Sequence, residues 1–344
     1  MEEIIKRIQK RTLEMDMSDC NWGEGVALWS FNRSIIEVPC EEYIPFLMNW
    51  VELGIRNKKF KHTVNNSIPC IGIGEVYKKT GNKEYLSILK RQAEYLMHEA
   101  PRLNNGAIIH TDPYAKFGRQ MWADTIFMAG LFLAYMGKLT QNQAYIEEAM
   151  NQLRIHINVL QDEDGLLYHG WDETVQDHIG CKWGRANAWV SVGIVEMLDY
   201  MPADLVLLGA LEKQLDAVSR WQKENGLWRT VLDGSFSYLE ASSAYGFGYA
   251  VLKGVRFGVI DKKYLELVDK MKETLMRNVD ADGKVLNISA GTPVMRNEAE
   301  YNIICEHRIQ TWGQGLALLY FSELNLLNKN DCRYSLRNHC SDRS

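Results

Sequence analysis

Asp164-Gly165-Leu166-Leu167-Tyr168-His169 joins a turn dipeptide to a short apolar run, and the chain uses that design four times. It recurs at Asn105-Gly106-Ala-Ile-Ile-His110, Asn225-Gly226-Leu-Trp-Arg229 and Asp282-Gly283-Lys-Val-Leu-Asn287. Asn-Gly and Asp-Gly supply the positive φ that a tight turn needs, and the residues after them read as short extended pieces. The four glycines stand 59, 61 and 57 residues apart. Between turns lie two stretches of helical periodicity, for example 121–137 with 143–160, then 187–200 with 205–223. The unit is a helical hairpin, and 344 residues hold about six of them.

A second series marks six helix starts: Trp22-Gly-Glu-Gly25, Val64-Asn-Asn-Ser67, Trp122-Ala-Asp124, Trp183-Gly-Arg-Ala-Asn187, Leu239-Glu-Ala-Ser242 and Trp312-Gly-Gln-Gly315. Each opens an apolar helix containing small residues, as inner helices packed around an axis require. Both chain ends carry the same sort of start, whereas an open solenoid has atypical capping repeats. The expected fold is an all-α (α/α)6 barrel of six hairpins, with short extended segments at the rim. Residues 1–330 form one catalytic domain in this reading, and 331–344 a polar C-terminal tail. Inner helices running the same way would bring their N-terminal N–H groups and positive dipole ends to one pocket, a setting for a carboxylate ligand.

Net charge of -5 gives no bulk attraction to nucleic acid or to an anionic membrane, and no apolar run is long enough to span a bilayer. Seven cysteines without a Cys-x-x-Cys pair indicate free thiols in a reducing compartment. The N-terminus lacks the continuous apolar core of a signal peptide, so a cytoplasmic location is expected. Monomer and homodimer are both compatible with the composition. The chain has no Gly-x-Gly-x-x-Gly fingerprint after a strand, no phosphate loop and no Gly-x-Ser-x-Gly elbow, which disfavours nucleotide enzymes and serine hydrolases.

Asp124 stands in Gln120-Met-Trp-Ala-Asp-Thr-Ile-Phe-Met-Ala129, a run otherwise fit for a buried helix. A buried carboxylate costs several kcal/mol unless paired or functional. It is either a first-turn cap, paired with Arg119 or a backbone amide, or a general acid whose pKa the apolar wall around Trp122 raises. His169 and Trp171 could orient a sugar, or His169 could simply bond Asp172. His110 occupies the matching place one repeat earlier. Neither histidine belongs to a metal-ligand cluster, and no metal or cofactor is expected. Trp183, Arg185, Asn187 and Trp189 could clamp a carboxylate and stack on a sugar face, or cap and pack a helix. Glu240 could equally serve the N-terminus of its own helix.

These motifs, with Tyr168-His-Gly-Trp-Asp172, Glu240-Ala-Ser-Ser243 and Trp312-Gly-Gln-Gly315, resemble the unsaturated rhamnogalacturonyl hydrolases of glycoside hydrolase family 105, relatives of the family 88 unsaturated glucuronyl hydrolases. The resemblance runs in order from Trp22 to about Leu319. It implies an (α/α)6 barrel and a cytoplasmic enzyme that acts on the unsaturated oligosaccharides left by lyases. It assigns Asp124 as general acid/base, and places His169, Trp183, Arg185 and Trp189 around the substrate. Asn66, Trp122, Trp171 and His110 complete the candidate set. Two departures stand out. Ala186 and Ala188 replace the glycines usual beside this arginine, which would narrow the pocket. Residues 57–80 contain no aspartate, only Asn65, Asn66 and Glu75, where related enzymes have a second acid.

The corresponding chemistry needs one carboxylate. Asp124 would protonate C4 of a 4,5-unsaturated uronic acid, water would add at C5, and Arg185 with helix N-terminal amides would hold the substrate carboxylate. Two rivals share the barrel: a sugar epimerase of the N-acylglucosamine 2-epimerase type, with His110 and His169 as its two bases, and a non-catalytic oligosaccharide-binding barrel in which Asp124 only caps a helix.

Overall fold

A computed structural model describes residues 1–110, 118–306 and 308–341, with side chains described to Lys329. Six amphipathic helices carry a single apolar face each: α1 (Glu2–Leu13), α3 (Tyr43–Arg56), α5 (Lys83–Glu94), α7 (Gln143–Leu160), α9 (Leu205–Trp221) and α11 (Leu265–Arg277). Six others are apolar nearly all round: α2 (Trp22–Glu37), α4 (Ser67–Thr80), α6 (Leu131–Thr140, entered through a π turn at Ile126–Gly130), α8 (Gly184–Met197), α10 (Ser242–Arg256) and, as far as Leu327, α13 (Thr311–Ser341). Every residue of α8 is buried. A helix with one apolar face packs on one layer, and a helix apolar on all sides must be surrounded. The second set therefore forms the inner ring and the first an outer shell, the expected (α/α)6 barrel.

The ring closes where α13 packs beside α2, and small residues set the spacing. A Cβ on Gly315 would stand 3.0 Å from Ala27 Cα, and one on Gly246 would stand 2.8 Å from Ala188 Cβ. Ala188 thus faces α10 and does not narrow a pocket. A short helix, α12 (Glu298–Asn302), lies in the long connection before α13. The last inner helix runs on to Ser341, so 331–341 continue it where a separate tail was expected; residues 342–344 lie outside the described residues.

All four turn glycines have positive φ, between 80° and 102°. Each turn closes with the same backbone pair, for instance Gly165 N to Asp162 O at 3.0 Å and Asp162 N to Leu166 O at 2.8 Å. Inner-helix side chains hold them: Asn187 bonds both backbone groups of Leu167, and Gln314 accepts from Val285 N and donates to Gly283 O. The turns also press on the outer shell, Gly165 on Lys213 O, Gly226 on Lys270 O and Gly283 on Arg7 O.

One local expectation fails usefully. Gln120–Trp122 is not helical but a strand, β1, pairing antiparallel with β2 (Gly170–Asp172), which pairs with β3 (Asp177–Ile179). A hairpin of β4 (Trp228–Arg229) and β5 (Leu239–Glu240) lies beyond. The apolar periodicity of 121–137 concealed a change from strand to helix, because a three-residue buried strand is shorter than one helical turn.

Gly283→Ala is expected to cost more than about 1 kcal/mol, since alanine resists positive φ and its Cβ would strike the Arg7 carbonyl. Urea unfolding of the variant and the parent checks this.

Candidate active site

The strand pair decides which side chains meet. Trp122 is in register with Gly170, and the next rung is Ala123 N to His169 O at 2.9 Å. His169 N in turn donates to Cys181 O at 3.0 Å. His169 is thus fastened by both backbone groups, and Asp124, the first helical residue after β1, stands beside it. His169 Nε2 and Asp124 Oδ2 lie 3.3 Å apart, the histidine wholly buried and the aspartate side chain 14% exposed. The two atoms face each other without the alignment of a full hydrogen bond, and neither has another partner. Such contacts tighten when substrate arrives.

Around this pair runs an arc of rings. His110 stacks on Trp122 at 4.5 Å, Trp122 meets the edge of His169 at 5.3 Å, and His169 lies 4.4 Å from Trp183. The Arg185 guanidinium covers Trp183 at 4.5 Å and reaches Trp312 at 5.7 Å, and Trp312 packs on Trp22 at 4.4 Å. These residues open α6, α8, α13 and α2, so the inner helices do run the same way and their starts converge. Besides Asp124 Oδ2 and His169 Nε2, Trp183 Nε1, Trp312 Nε1 and Arg185 Nε are buried without partners. Buried polar atoms normally find partners, so a cluster of unpaired ones marks a place for a polar ligand.

Other candidates fall elsewhere. Trp189 is fully buried and stacked on Phe127 at 4.8 Å, a core residue with no access to a ligand. Arg185 has no exposed surface: its terminal nitrogens donate to Ser242 Oγ, Ser289, Ala290 O and Thr292 Oγ1. It cannot reach out to clamp a carboxylate directly, and it fastens residues 289–292 instead. Asn187 and Gln314 point into the turns, not the mouth. Glu240 accepts from the N–H groups of Ser242 and Ser243, which makes it the cap of its own helix. Asn66 donates to Cys20 O and accepts from Thr63 Oγ1, both at 3.1 Å, so its amide is already used. Trp171 packs edge-on against His178 at 5.1 Å, outside the contacts of Asp124. Asp172 bonds Gln120 and Arg119 bonds Glu173, so neither is the partner that His169 or Asp124 was offered.

Sequence reading missed Tyr301. Its hydroxyl lies 2.7 Å from His169 Nδ1, although 132 positions separate the two residues. No turn dipeptide or helix start flags it.

The carboxyl of Asp124 does not behave as an apolar niche alone would dictate. Desolvation is the largest influence and pushes its pKa up, yet the contact with His169 and the nearby His110 and Arg185 outweigh it. The result lies below the ordinary aspartate value, so the expected upward shift is corrected. A cavity of about 580 Å³ at the opposite end of the ring is lined by Arg33, Glu75, Lys78, Tyr135 and Asp199 among others. Its charges are already matched, Arg33 to Asp199 at 2.8 Å and Lys78 to Glu75 at 2.7 Å, and of its lining side chains only the Tyr135 hydroxyl is buried without a partner. Among the described residues no group of three His, Cys, Asp or Glu side chains is placed to hold a metal ion, and no helix is long and apolar enough to cross a membrane. The five cysteines with described side chains are free thiols.

Comparisons with known proteins agree with this geometry. Residues 1–327 match the model of glycosyl hydrolase family 88. The chain is 36% identical over 333 residues to the unsaturated rhamnogalacturonyl hydrolase YesR of Bacillus subtilis, covering 93% of this chain and 94% of that one. A crystal structure described as a possible member of family GH105 from Klebsiella pneumoniae superposes with a TM-score of 0.87 at 28% identity, over 94% of this chain and 92% of that one. A heparin-specific unsaturated glucuronyl hydrolase shares the fold, with a TM-score of 0.75 at 17% identity over 95% and 97% of the two chains.

A depressed carboxyl contributes stability that is complete above the unfolded-state pKa, about 3.9, and is lost as pH falls towards the folded one. The difference in unfolding free energy between the protein and its Asp124→Asn variant should therefore narrow below about pH 4. Denaturation curves collected from neutral pH downward check it.

Proposed function

The chain belongs to glycosyl hydrolase family 88, and from that premise we propose that it removes the unsaturated uronic acid from the non-reducing end of lyase-generated oligosaccharides, with unsaturated galacturonyl-rhamnose the favoured substrate. The relative at 36% identity, named an unsaturated rhamnogalacturonyl hydrolase, supports that substrate class. The observation that carries the reading is the half-buried carboxylate of Asp124, set against the buried His169 at the mouth of the barrel. Glu240, buried at this end, has both oxygens committed to backbone N–H groups, and Glu24 accepts from Asn21 N at the start of its own helix. An ordinary glycosidase needs two carboxylates at a set separation. Hydration of a C4=C5 double bond needs only one.

The uronic ring is a vinyl ether. Asp124 in its acid form gives its proton to C4, and positive charge develops at C5, shared with the ring oxygen. Water adds to C5 and returns a proton to Asp124. The hemiketal opens by breaking the bond from C5 to the ring oxygen, giving a ketone at C5 and a hemiacetal at C1; the hemiacetal collapses to an aldehyde as the neighbouring sugar leaves with the proton as its alcohol, without attack at the anomeric carbon. Proton count and electron count both balance. In the free site Asp124 is held ionised, and an anionic substrate entering beside it raises its proton affinity. Trp122 and Trp312 offer rings to the sugar, while Trp183 lies buried against Arg185 and His169 and the buried charge of Arg185 favours an anionic ligand.

The epimerase reading fits less well, because the Trp122 ring contacts both His110 and His169 and occupies the space a substrate carbon would need between two bases. Residues 1–330 would act as one catalytic domain, in the cytoplasm, as a monomer or homodimer, on small oligosaccharides and without nucleic acid or membrane.

Asp124→Asn is expected to lower kcat by roughly 10³-fold with the fold intact. The assay follows loss of the double-bond ultraviolet absorbance on unsaturated galacturonyl-rhamnose, and a variant that keeps its activity contradicts the mechanism.

A further inference from the structure

The hydroxyl of Tyr301 is surrounded in a way that fixes its proton. Cys181 N and Met295 N donate to its oxygen at 3.4 and 3.3 Å, and His169 Nδ1 lies 2.7 Å away. A phenol has one proton to give and two lone pairs to accept with. Both lone pairs face backbone N–H groups, so the proton points to Nδ1. A neutral imidazole that accepts at Nδ1 carries its own proton on Nε2, the atom facing Asp124 Oδ2.

The surroundings are built to keep this arrangement. Tyr301 and His169 are both wholly buried. Tyr301 sits on α12, which Asn297 caps, and Glu298 on the same helix accepts from Ser235, Phe236 and Ser237 N–H groups. Gly180 leaves the necessary gap: a Cβ there would stand 2.5 Å from the Tyr301 oxygen and 3.1 Å from His169 Cβ. The titratable and charged groups around the imidazole are Asp124, Tyr301 and Cys181, with Arg185 behind Trp183 and His110 behind Trp122.

We propose that Tyr301 is a positioning residue that holds His169 as the neutral Nε2–H tautomer, a fixed donor to Asp124 Oδ2, leaving Asp124 Oδ1 as the oxygen that exchanges the substrate proton. This rests on the assignment of Asp124 as the general acid/base. A second ring proton would sit on Nδ1 against the phenol proton, with no lone pair to receive it. The ring proton therefore stays on Nε2, turned toward Asp124.

The test is Tyr301→Phe, which removes one oxygen, assayed on unsaturated galacturonyl-rhamnose from about pH 5 to 8 beside 15N NMR of the imidazole, with His169→Gln identifying the signal. The expected result is a kcat loss of roughly tenfold with KM within about twofold, and a new acid limb in the pH profile as the released ring takes a second proton. In the parent protein Nδ1 should carry no proton across that range. A proton on Nδ1 there overturns the proposal, and this measurement decides alone if the variant does not fold. A folded variant with unchanged kcat and pH profile overturns it as well. If Asp124→Asn is inactive while Tyr301→Phe is unaltered, only this inference fails; if Asp124→Asn stays active, the reading of Asp124 fails first.

Discussion

Six inner helices pointing one way around a common axis place six sets of unsatisfied N–H groups at one end of the barrel and six sets of carbonyls at the other. Most of the polar architecture answers that constraint. At the carbonyl end stand Lys78 and Lys79 of α4, Lys138 of α6, and Lys253 and Arg256 of α10, all in last turns. Arg33 joins them, bridging the buried Glu196 at 2.7 Å and Asp199 at 2.8 Å, while Lys253 closes the same network. At the N–H end Glu240 is buried and Asp124 and Glu24 are half-buried, Glu24 accepting from the backbone N–H of Asn21 at the start of its own helix. Glu240 spends its charge on the start of its own helix. Asp124 is the acid left over for chemistry.

A buried carboxylate needs something to hold it, and here a rung of backbone hydrogen bonding does so. The β1–β2 register sets His169 beside Asp124 before any side-chain preference applies, and the ring arc from His110 to Trp22 fills the space around them. Desolvation alone would make Asp124 a weak acid. The opposing pull of His169, His110 and Arg185 leaves it ionised when the site is free. An anionic substrate is then what shifts the balance, which couples protonation of the acid to occupancy of the site.

The hairpin period was readable because its signal is chemical and local: four Asn/Asp-Gly turns need positive φ, and all four have it. Asp124, His169, His110, Trp122, Trp183 and Arg185 were legible as members of repeated motifs, and the structure gathers them. Their individual duties were harder to read. Arg185 and Trp189 look alike in a motif, as polar and aromatic residues at a helix start, but 3.6-residue geometry sends Trp189 a full turn deeper into the core. The side chains of Asn187, Gln314 and Glu240 satisfy backbone groups that sequence alone does not locate. The strand at Gln120–Trp122 was hidden by its shortness. Tyr301 was invisible because its role depends on a tertiary contact across 132 positions.

The central claim is that Asp124 delivers a proton to C4 of an unsaturated uronic acid from one fixed side. Running the reaction in deuterium oxide and following the product by 1H NMR tests it most directly. The account predicts one deuterium at C4, in a single configuration, appearing at the rate at which the vinyl signal is lost. Release of the neighbouring sugar with the vinyl signal retained, or deuterium distributed over both configurations from the earliest product, would contradict it.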